Sequence, residues 1–186
     1  MSTRLKRWFY FESFAMMNKL RVLSVVLTVF MSSFVGLGQA MAIQVGDDVA
    51  DLALPNSKVG QKLADLKGQW VYLDFWASWC GPCRQSFPWM NEMHEKASIP
   101  GLRFVAINVD ASKADADRFL SQHPAAFDLA FDASGESAKK MGLKVMPTSY
   151  LINPKGQVVL IHTGFRIEER QDMQNKLSNL ISLYKP

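Results

Sequence analysis

Two cysteines separated by two residues are the side chains whose spacing points most directly to chemistry. They are the only cysteines of the 186-residue chain, and they lie in the pentapeptide Trp79-Cys80-Gly81-Pro82-Cys83. Two intervening residues let the thiols close a small disulfide ring with little backbone movement. A thiol at the start of a helix lies beside unpaired backbone N–H groups, which lower its pKa. The spacing predicts a redox pair in which Cys80 is the accessible nucleophile and Cys83 the buried resolving thiol.

Two structural uses of a cysteine pair compete with redox chemistry. A structural zinc site needs about four ligands, and the histidines His94, His123 and His162 show no ligand spacing. An inert disulfide remains an alternative in a secreted domain, although closing so short a loop removes little entropy from the unfolded chain. A cysteine pair between a strand and a helix favours redox activity. We therefore expect no metal and no cofactor.

A predicted strand and a predicted helix position the pair. Residues 70–76 (WVYLDFW) form an apolar run interrupted only by Asp74, which is typical of a central strand covered on both faces. Apolar side chains recur at helical spacing over residues 82–97. If Asp74 is buried, its pKa rises and it becomes a candidate acid or base for Cys83. The alternative is an aspartate on a solvated face of the sheet.

Strands and helices alternate along the rest of the sequence. The spacing of apolar residues predicts strands over residues 102–109, 127–131, 148–152 and 158–163, and helices over residues 112–123, 134–142 and 167–184. Asn153-Pro154-Lys155-Gly156 predicts a hairpin turn, and turn signals within residues 51–70 predict an earlier β-hairpin. Parallel crossovers followed by a terminal hairpin imply an α/β fold with a mixed central β-sheet flanked by helices.

The first 42 residues have the pattern of a secretory signal peptide. Basic residues precede an apolar run over residues 22–37, and Ala40-Met41-Ala42 matches a small-residue cleavage site. We predict a signal peptide over residues 1–42 and a single domain over residues 43–186. A start at Met17 would give a more ordinary signal, and an uncleaved membrane anchor or a buried helix remains an alternative.

The net charge also differs between the first 42 residues and the rest of the chain. The net charge is +4, and residues 1–42 hold five of the 21 basic residues and one of the 17 acidic ones. The remaining 16 basic and 16 acidic residues cancel. The basic balance therefore belongs to the N-terminal segment, and no nucleic-acid partner is expected. Export would place the domain in the periplasm, which is an oxidising compartment.

The decapeptide DFWASWCGPC, residues 74–83, resembles the active-site segment of the thioredoxin superfamily. The export signal, the segment DLALPNSKVGQ at residues 51–61, the NPKG turn and the extra segment Ala111–Asp132 resemble its TlpA-like, periplasmic branch. The resemblance extends from about Val45 to Tyr184. It implies a thioredoxin-like fold with an N-terminal β-hairpin and a central insertion.

The same resemblance assigns functions to further residues. It implies that Pro147 follows a cis peptide bond and faces the disulfide, whereas the alternative is a proline that only starts an edge strand. It also implies that Asp74 exchanges the proton of Cys83. The sequence departs from the TlpA-like pattern at Ser86, where many members have a glutamate. The expected substrate-binding residues are Trp79, Gly81, Pro82, Met146 and Thr148.

These features predict a periplasmic thiol–disulfide oxidoreductase that reduces protein disulfides. Gly81-Pro82 matches thioredoxin, a strong reductant, and no basic residue lies between the cysteines to stabilise a thiolate as an oxidase requires. The resemblance implies electrons from a membrane thiol carrier of the DsbD or CcdA type and substrates such as apocytochrome c during cytochrome c maturation. A monomer is expected. A thiol peroxidase with antioxidant activity and a binding module with a structural disulfide are the alternatives.

Overall fold

The computed structural model describes residues 42–96 and 98–184, in which five strands alternate with four α-helices. In chain order the elements are β1 (Trp70–Trp76), α1 (Cys83–Glu95), β2 (Leu102–Asn108), α2 (Lys113–Gln122), β3 (Asp128–Phe131), α3 (Glu136–Lys140), β4 (Thr148–Ile152), β5 (Val158–Thr163) and α4 (Arg170–Leu183). Short 3₁₀ turns at Leu63–Leu66 and Ile167–Glu169 precede β1 and α4. The predicted order of strands and helices is confirmed.

The five strands form one mixed sheet in the order β3-β2-β1-β4-β5. Strands β1, β2 and β3 run parallel, whereas β4 is antiparallel to β1 and β5 is antiparallel to β4. Every residue of the central strand β1 is buried, as expected for a strand with helices or loops on both faces. The predicted α/β class with a mixed central sheet is confirmed.

The alternation of side chains along β1 divides the core into two layers. Tyr72 and Trp76 pack with apolar residues of α1, α2 and α4 in the layer that also contains both cysteines. Leu73 and Phe75 pack on the opposite face, against the N-terminal segment. Successive residues of a strand point to opposite faces. Asp74 therefore lies on the face of Tyr72 and Trp76, in the layer of the cysteines.

The predicted N-terminal hairpin is present only as a short antiparallel contact. Ala53 and Lys62 form an isolated β-bridge, and the backbone N–H of Leu54 donates to the carbonyl of Gln61 at 2.8 Å. Leu52 and Leu54 are fully buried against the sheet, whereas Ala53 is exposed. The segment thus covers one face of the sheet and does not extend it.

The predicted turn between the last two strands is confirmed. The Asn153 side-chain oxygen accepts the backbone N–H groups of Lys155 and Gln157, both at 3.0 Å. Gly156 has a φ of +92°, and a Cβ atom there would lie 3.0 Å from the Cβ atom of Ala50. Glycine fits this position because it adopts positive φ without steric cost.

The predicted signal peptide lies outside the described residues, apart from Ala42. No helix within residues 42–96 and 98–184 has the length and apolar character needed to cross a membrane.

Candidate active site

Cys80 and Cys83 form a disulfide at the N-terminus of α1, with their Cα atoms 5.4 Å apart. The helix begins at Cys83, and Pro82 is its N-cap residue. The backbone N–H of Cys83 points at the sulfur of Cys80, with an N–Sγ distance of 3.2 Å. A backbone donor and the positive end of the helix dipole both stabilise negative charge. In the reduced protein, both would therefore stabilise a thiolate at Cys80.

Both cysteines are covered in this oxidised state, with exposed fractions of 3% for Cys80 and 0% for Cys83. The burial of Cys83 agrees with the sequence-based prediction. An accessible Cys80 was expected, and the oxidised structure differs because the disulfide ties its sulfur to a residue inside the core. Both cysteines belong to the core layer that contains Trp76 and Phe87.

The residues around the cysteine pair form the exposed rim of the site. Gly81 and Pro82 are exposed, and Trp79 is 67% exposed. Trp79 and Arg84 also line a groove whose other wall includes Arg118 of α2. Trp79, Gly81 and Pro82, three of the expected substrate-binding residues, are thus placed where a partner chain can touch them.

The loop before β4 brings a second set of expected site residues to the same core layer. The Met146–Pro147 peptide bond is cis, as predicted. Met146 is half-buried and packs against the layer that contains both cysteines. Thr148 is buried, and its hydroxyl donates to the carbonyl of Val145 at 2.8 Å. The Thr148 side chain therefore braces the loop and does not point free into the solvent.

Asp74 is buried in the middle of β1, with an exposed fraction of 1%. Its Oδ1 accepts a hydrogen bond from the hydroxyl of Ser149 at 2.6 Å. Its Oδ2 has no hydrogen-bond partner among the described residues. Burial raises the pKa of Asp74 to about 7, although the Ser149 hydrogen bond opposes the rise. The sequence-based prediction of a buried carboxyl with a raised pKa is confirmed.

Comparison with known proteins agrees with this geometry. Residues 45–161 match the AhpC/TSA family. The chain belongs to this family. Thiol-disulfide oxidoreductase ResA of Bacillus subtilis (strain 168) is 31% identical to it over 146 residues, which cover 78% of each chain. Together with the Cys80–Cys83 pair, these relationships identify the AhpC/TSA-family protein as a thiol–disulfide oxidoreductase.

Solved structures show the same relationship. The crystal structure of a thiol:disulfide interchange protein DsbE from Chlorobium tepidum is 49% identical, with a TM-score of 0.68, and covers 77% of this chain and 100% of its own. StoA from Bacillus subtilis shares the fold at 24% identity and a TM-score of 0.58, over 69% of this chain and 99% of its own. The resemblance to TlpA-like members of the thioredoxin superfamily is confirmed.

Ser86 stands at the position where many TlpA-like members have a glutamate. It is buried one turn after Cys83, and its hydroxyl donates to the Cys83 carbonyl at 3.3 Å. Unlike a glutamate, a serine hydroxyl does not ionise at neutral pH. The buried carboxyl in the layer of the cysteines is that of Asp74 on the sheet, and α1 has a serine at the position one turn after Cys83.

A buried network next to the cysteines was not predicted from the sequence. Asp110 accepts the backbone N–H and the hydroxyl of Ser78, at 2.8 and 2.9 Å, and the side-chain amide of Asn108 at 2.8 Å. It thereby ties the end of β2 to the turn that precedes Cys80. The signal was available, because the carboxyl ends of two parallel neighbouring strands meet at one edge of a sheet.

Proposed function

We propose that this protein reduces disulfide bonds of periplasmic proteins, with Cys80 as nucleophile, Cys83 as resolving thiol and Asp74 as the group that takes up the Cys83 proton. The observation that carries the proposal is the N–H of Cys83 at 3.2 Å from the Cys80 sulfur. This donor stabilises a thiolate at Cys80 and not at Cys83, because the N–H belongs to Cys83 itself. The two cysteines are thus chemically unequal.

The reaction then follows from thiol–disulfide exchange. In the reduced protein the Cys80 thiolate attacks one sulfur of the substrate disulfide, and the other substrate sulfur leaves as a thiolate. Cys83 next gives its proton to Asp74 and attacks the Cys80 sulfur. The Cys80–Cys83 disulfide forms, the mixed disulfide breaks, and the second substrate sulfur leaves. The substrate gains two electrons and the protein loses two.

Two features support reduction as the direction. The residues between the cysteines, Gly81 and Pro82, are those of thioredoxin, whose potential is about −270 mV. No charged residue lies between the cysteines to stabilise the reduced form further. In either direction, a carboxyl whose pKa is raised to about 7 lies in the same core layer as Cys83 and can accept and release a proton near neutral pH.

The substrate is expected to bind along the exposed rim and the cis-proline loop. Trp79, Gly81 and Pro82 would contact the partner beside the attacked sulfur, and the backbone at Met146 would pair with the partner chain. Thr148 would hold that loop through its hydrogen bond to the carbonyl of Val145.

The cellular setting is part of the same proposal. A signal peptide over residues 1–42 would export the domain of residues 43–186, and Met17 is the alternative start. In an oxidising compartment a reductant must be recharged. A membrane thiol carrier of the DsbD or CcdA type fits this need, and apocytochrome c is a fitting substrate because its cysteines must be reduced before haem attachment.

Reduction of insulin by the purified domain tests the activity, with peroxide consumption measured beside it. We expect insulin reduction that Cys80→Ser abolishes, and Cys83→Ser should trap a mixed disulfide through Cys80. Alkylation of the reduced protein near pH 7 should label Cys80 well before Cys83. Peroxide consumption without insulin reduction would instead establish a thiol peroxidase, and neither activity would leave a structural disulfide.

A further inference from the structure

We propose that Asp74, Ser149 and His162 form a row of polar side chains across three neighbouring strands, through which Asp74 exchanges its proton with the solvent. This inference rests on the proposed function, because it gives the proton taken from Cys83 a way out of the core. Ser149 and His162 are positioning residues in it, since they act through Asp74.

Strand register places the three residues side by side. Asp74 of β1 is paired with Ser149 of β4, and Ser149 is paired with His162 of β5. Directly opposite residues of antiparallel strands point to the same face, with Cβ atoms about 4.5–5.5 Å apart. The neighbouring pair Leu151 and Leu160 packs in the layer that contains the cysteines. The row therefore lies on the cysteine side of the sheet.

Burial decreases along the row. Asp74 and Ser149 are almost fully buried, and Ser149 donates to Asp74 at 2.6 Å. His162 is half-buried, on the edge strand of the sheet. A serine hydroxyl donates one hydrogen bond and accepts others, so it can pass a proton between two neighbours. The row thus places a half-buried imidazole on the edge strand in register with the serine that is bonded to the buried carboxyl.

The charged groups around the row suit this transfer. Burial lowers the pKa of His162, the nearby Glu169 raises it, and Lys176 and Arg166 lower it, so that the imidazole is neutral at pH 7 and free to accept a proton. Tyr72 lies beside both Asp74 and Ser149. Burial and the Asp74 carboxylate raise the pKa of its phenol, a hydrogen bond with Ser149 opposes the rise, and the phenol stays protonated. Cys83 faces the same layer from α1.

The proton balance of the transfer is simple. After Cys83 has given its proton to Asp74, the carboxyl passes a proton to the Ser149 oxygen while the Ser149 hydroxyl passes its own to a ring nitrogen of His162. His162 then releases a proton to water. Ser149 ends as it began, and Asp74 is again ionised for the next turnover.

The first test is a titration that does not depend on activity. Carbon-13 NMR of the Asp74 carboxyl and of the His162 ring is recorded against pH for the wild type, Ser149→Ala and Ser149→Thr. Loss of the hydrogen bond to the carboxylate should raise the pKa of Asp74 by about one pH unit, alter the His162 titration, and move the pH midpoint of insulin reduction equally. Ser149→Thr, which keeps a hydroxyl, should restore the wild-type Asp74 pKa, His162 titration and pH midpoint.

The matched control is Ser137→Ala. Ser137 is similarly buried and donates to Asp132 at 2.5 Å, outside the row. It should leave the Asp74 titration and the pH midpoint unchanged. An unchanged Asp74 titration in Ser149→Ala would overturn the proposal, as would an equal shift in Ser137→Ala.

The second test concerns the solvent end of the row. His162→Gln should slow insulin reduction about tenfold or more in dilute buffer, and added imidazole should restore the rate. His94→Gln, on the exposed end of α1, is the control and should behave as the wild type. Equal rates of His162→Gln and wild type in dilute buffer would overturn the path. If wild-type protein fails to reduce insulin while Ser149→Ala still shifts both titrations, the proposed function fails and the row stands.

Discussion

Two buried aspartates in this molecule lie in opposite electrostatic settings. Asp74, in the central strand, is 1% exposed, and Asp132, between β3 and α3, is 3% exposed. Asp74 accepts one hydrogen bond, from Ser149. Asp132 accepts four, from the hydroxyls of Ser134 and Ser137 and from the backbone N–H groups of Gly135 and Ser137.

Their pKa values move in opposite directions. Burial raises the pKa of Asp74 to about 7 because one hydroxyl cannot replace the lost hydration. Burial also raises the pKa of Asp132, but the hydrogen bonds from Ser134, Ser137 and Gly135 outweigh it and hold that pKa below its usual value. Two aspartates that are both almost inaccessible to solvent thus have opposite pKa shifts, because Asp74 is more deeply buried and accepts one hydrogen bond, whereas Asp132 accepts four.

The largest expected effect comes from Asp74→Asn, which removes the exchangeable proton. Insulin reduction at pH 7 should slow about 100-fold, since general acid–base groups contribute about that much or more. An unchanged rate would show that Asp74 differs from Asp132 in its pKa but not in its use, and another group would have to take up the Cys83 proton.

Asp74→Asn, which slows the reaction, should also make the fold more stable than the wild type at neutral pH. The pKa of Asp74 rises from 3.8 to about 7 on folding, so the folded protein keeps a proton that the unfolded chain loses. Wild-type stability should fall, relative to Asp74→Asn, as pH rises from about 4 to 7, by about 4 kcal/mol in all. Urea unfolding at pH 4, 5.5 and 8 measures the difference, and parallel stability curves would contradict it.

Asp132→Asn should instead destabilise the fold without slowing the enzyme. The amide donor of asparagine would face N–H and O–H donors, and the free energy of unfolding should fall by about 2–4 kcal/mol at pH 7. Because folding lowers the pKa of Asp132, its contribution is present above the unfolded pKa and is lost as pH falls through the folded one. Urea unfolding combined with insulin reduction separates the two effects. A slowed reaction at full stability would break the contrast with Asp74.

Asp110→Asn sharpens the comparison, because Asp110 is a buried aspartate with three hydrogen-bond donors that lies next to the cysteines. If donor number decides the behaviour, the variant should resemble Asp132→Asn. We expect a loss of about 1–2 kcal/mol and insulin reduction slowed less than about tenfold. A loss of rate as large as that of Asp74→Asn would show that distance from the cysteines matters more than the donors.

The smallest effect is expected at an exposed aspartate. Asp117 forms an ion pair with Lys113 on α2, and both side chains are more than half exposed. Exposed pairs contribute little, because water screens the charges. Asp117→Asn should change the free energy of unfolding by less than about 0.5 kcal/mol in urea. A larger change would mean that burial does not explain why substitution of the buried aspartates alters the free energy of unfolding more than substitution of Asp117.

Much of the fold and part of the site could be predicted from the sequence. The run WVYLDFW is apolar enough to require cover on both faces, so β1 and the burial of Asp74 followed from local composition. The cysteine spacing and the start of α1 are equally local features. The cis bond at Pro147 was implied by resemblance and is present. The N-terminal hairpin was predicted less well, because turn residues do not determine how far two strands pair.

Contacts between distant strands could not be predicted in this way. Ser149 lies 75 residues after Asp74, and nothing in the local sequence of either residue indicates that they pair. Asp110 and Ser78 are 32 residues apart and meet only because β1 and β2 end at the same edge of the sheet. The covered position of Cys80 also depends on the closed disulfide and its packing.

The sequence by itself determined which segments fold into strands and helices, that Asp74 is buried, and that two cysteines flank the start of a helix, because these properties depend on residue types within a few positions. Only the tertiary structure decided that Ser149 faces Asp74 and that His162 faces Ser149, since strand register sets both. The donor of Asp74 is distant in sequence for the same reason, whereas all four donors of Asp132 lie within five residues of it. The strength of a buried acid depends on how many donors face it, and most of the donors to a strand residue come from elsewhere in the chain.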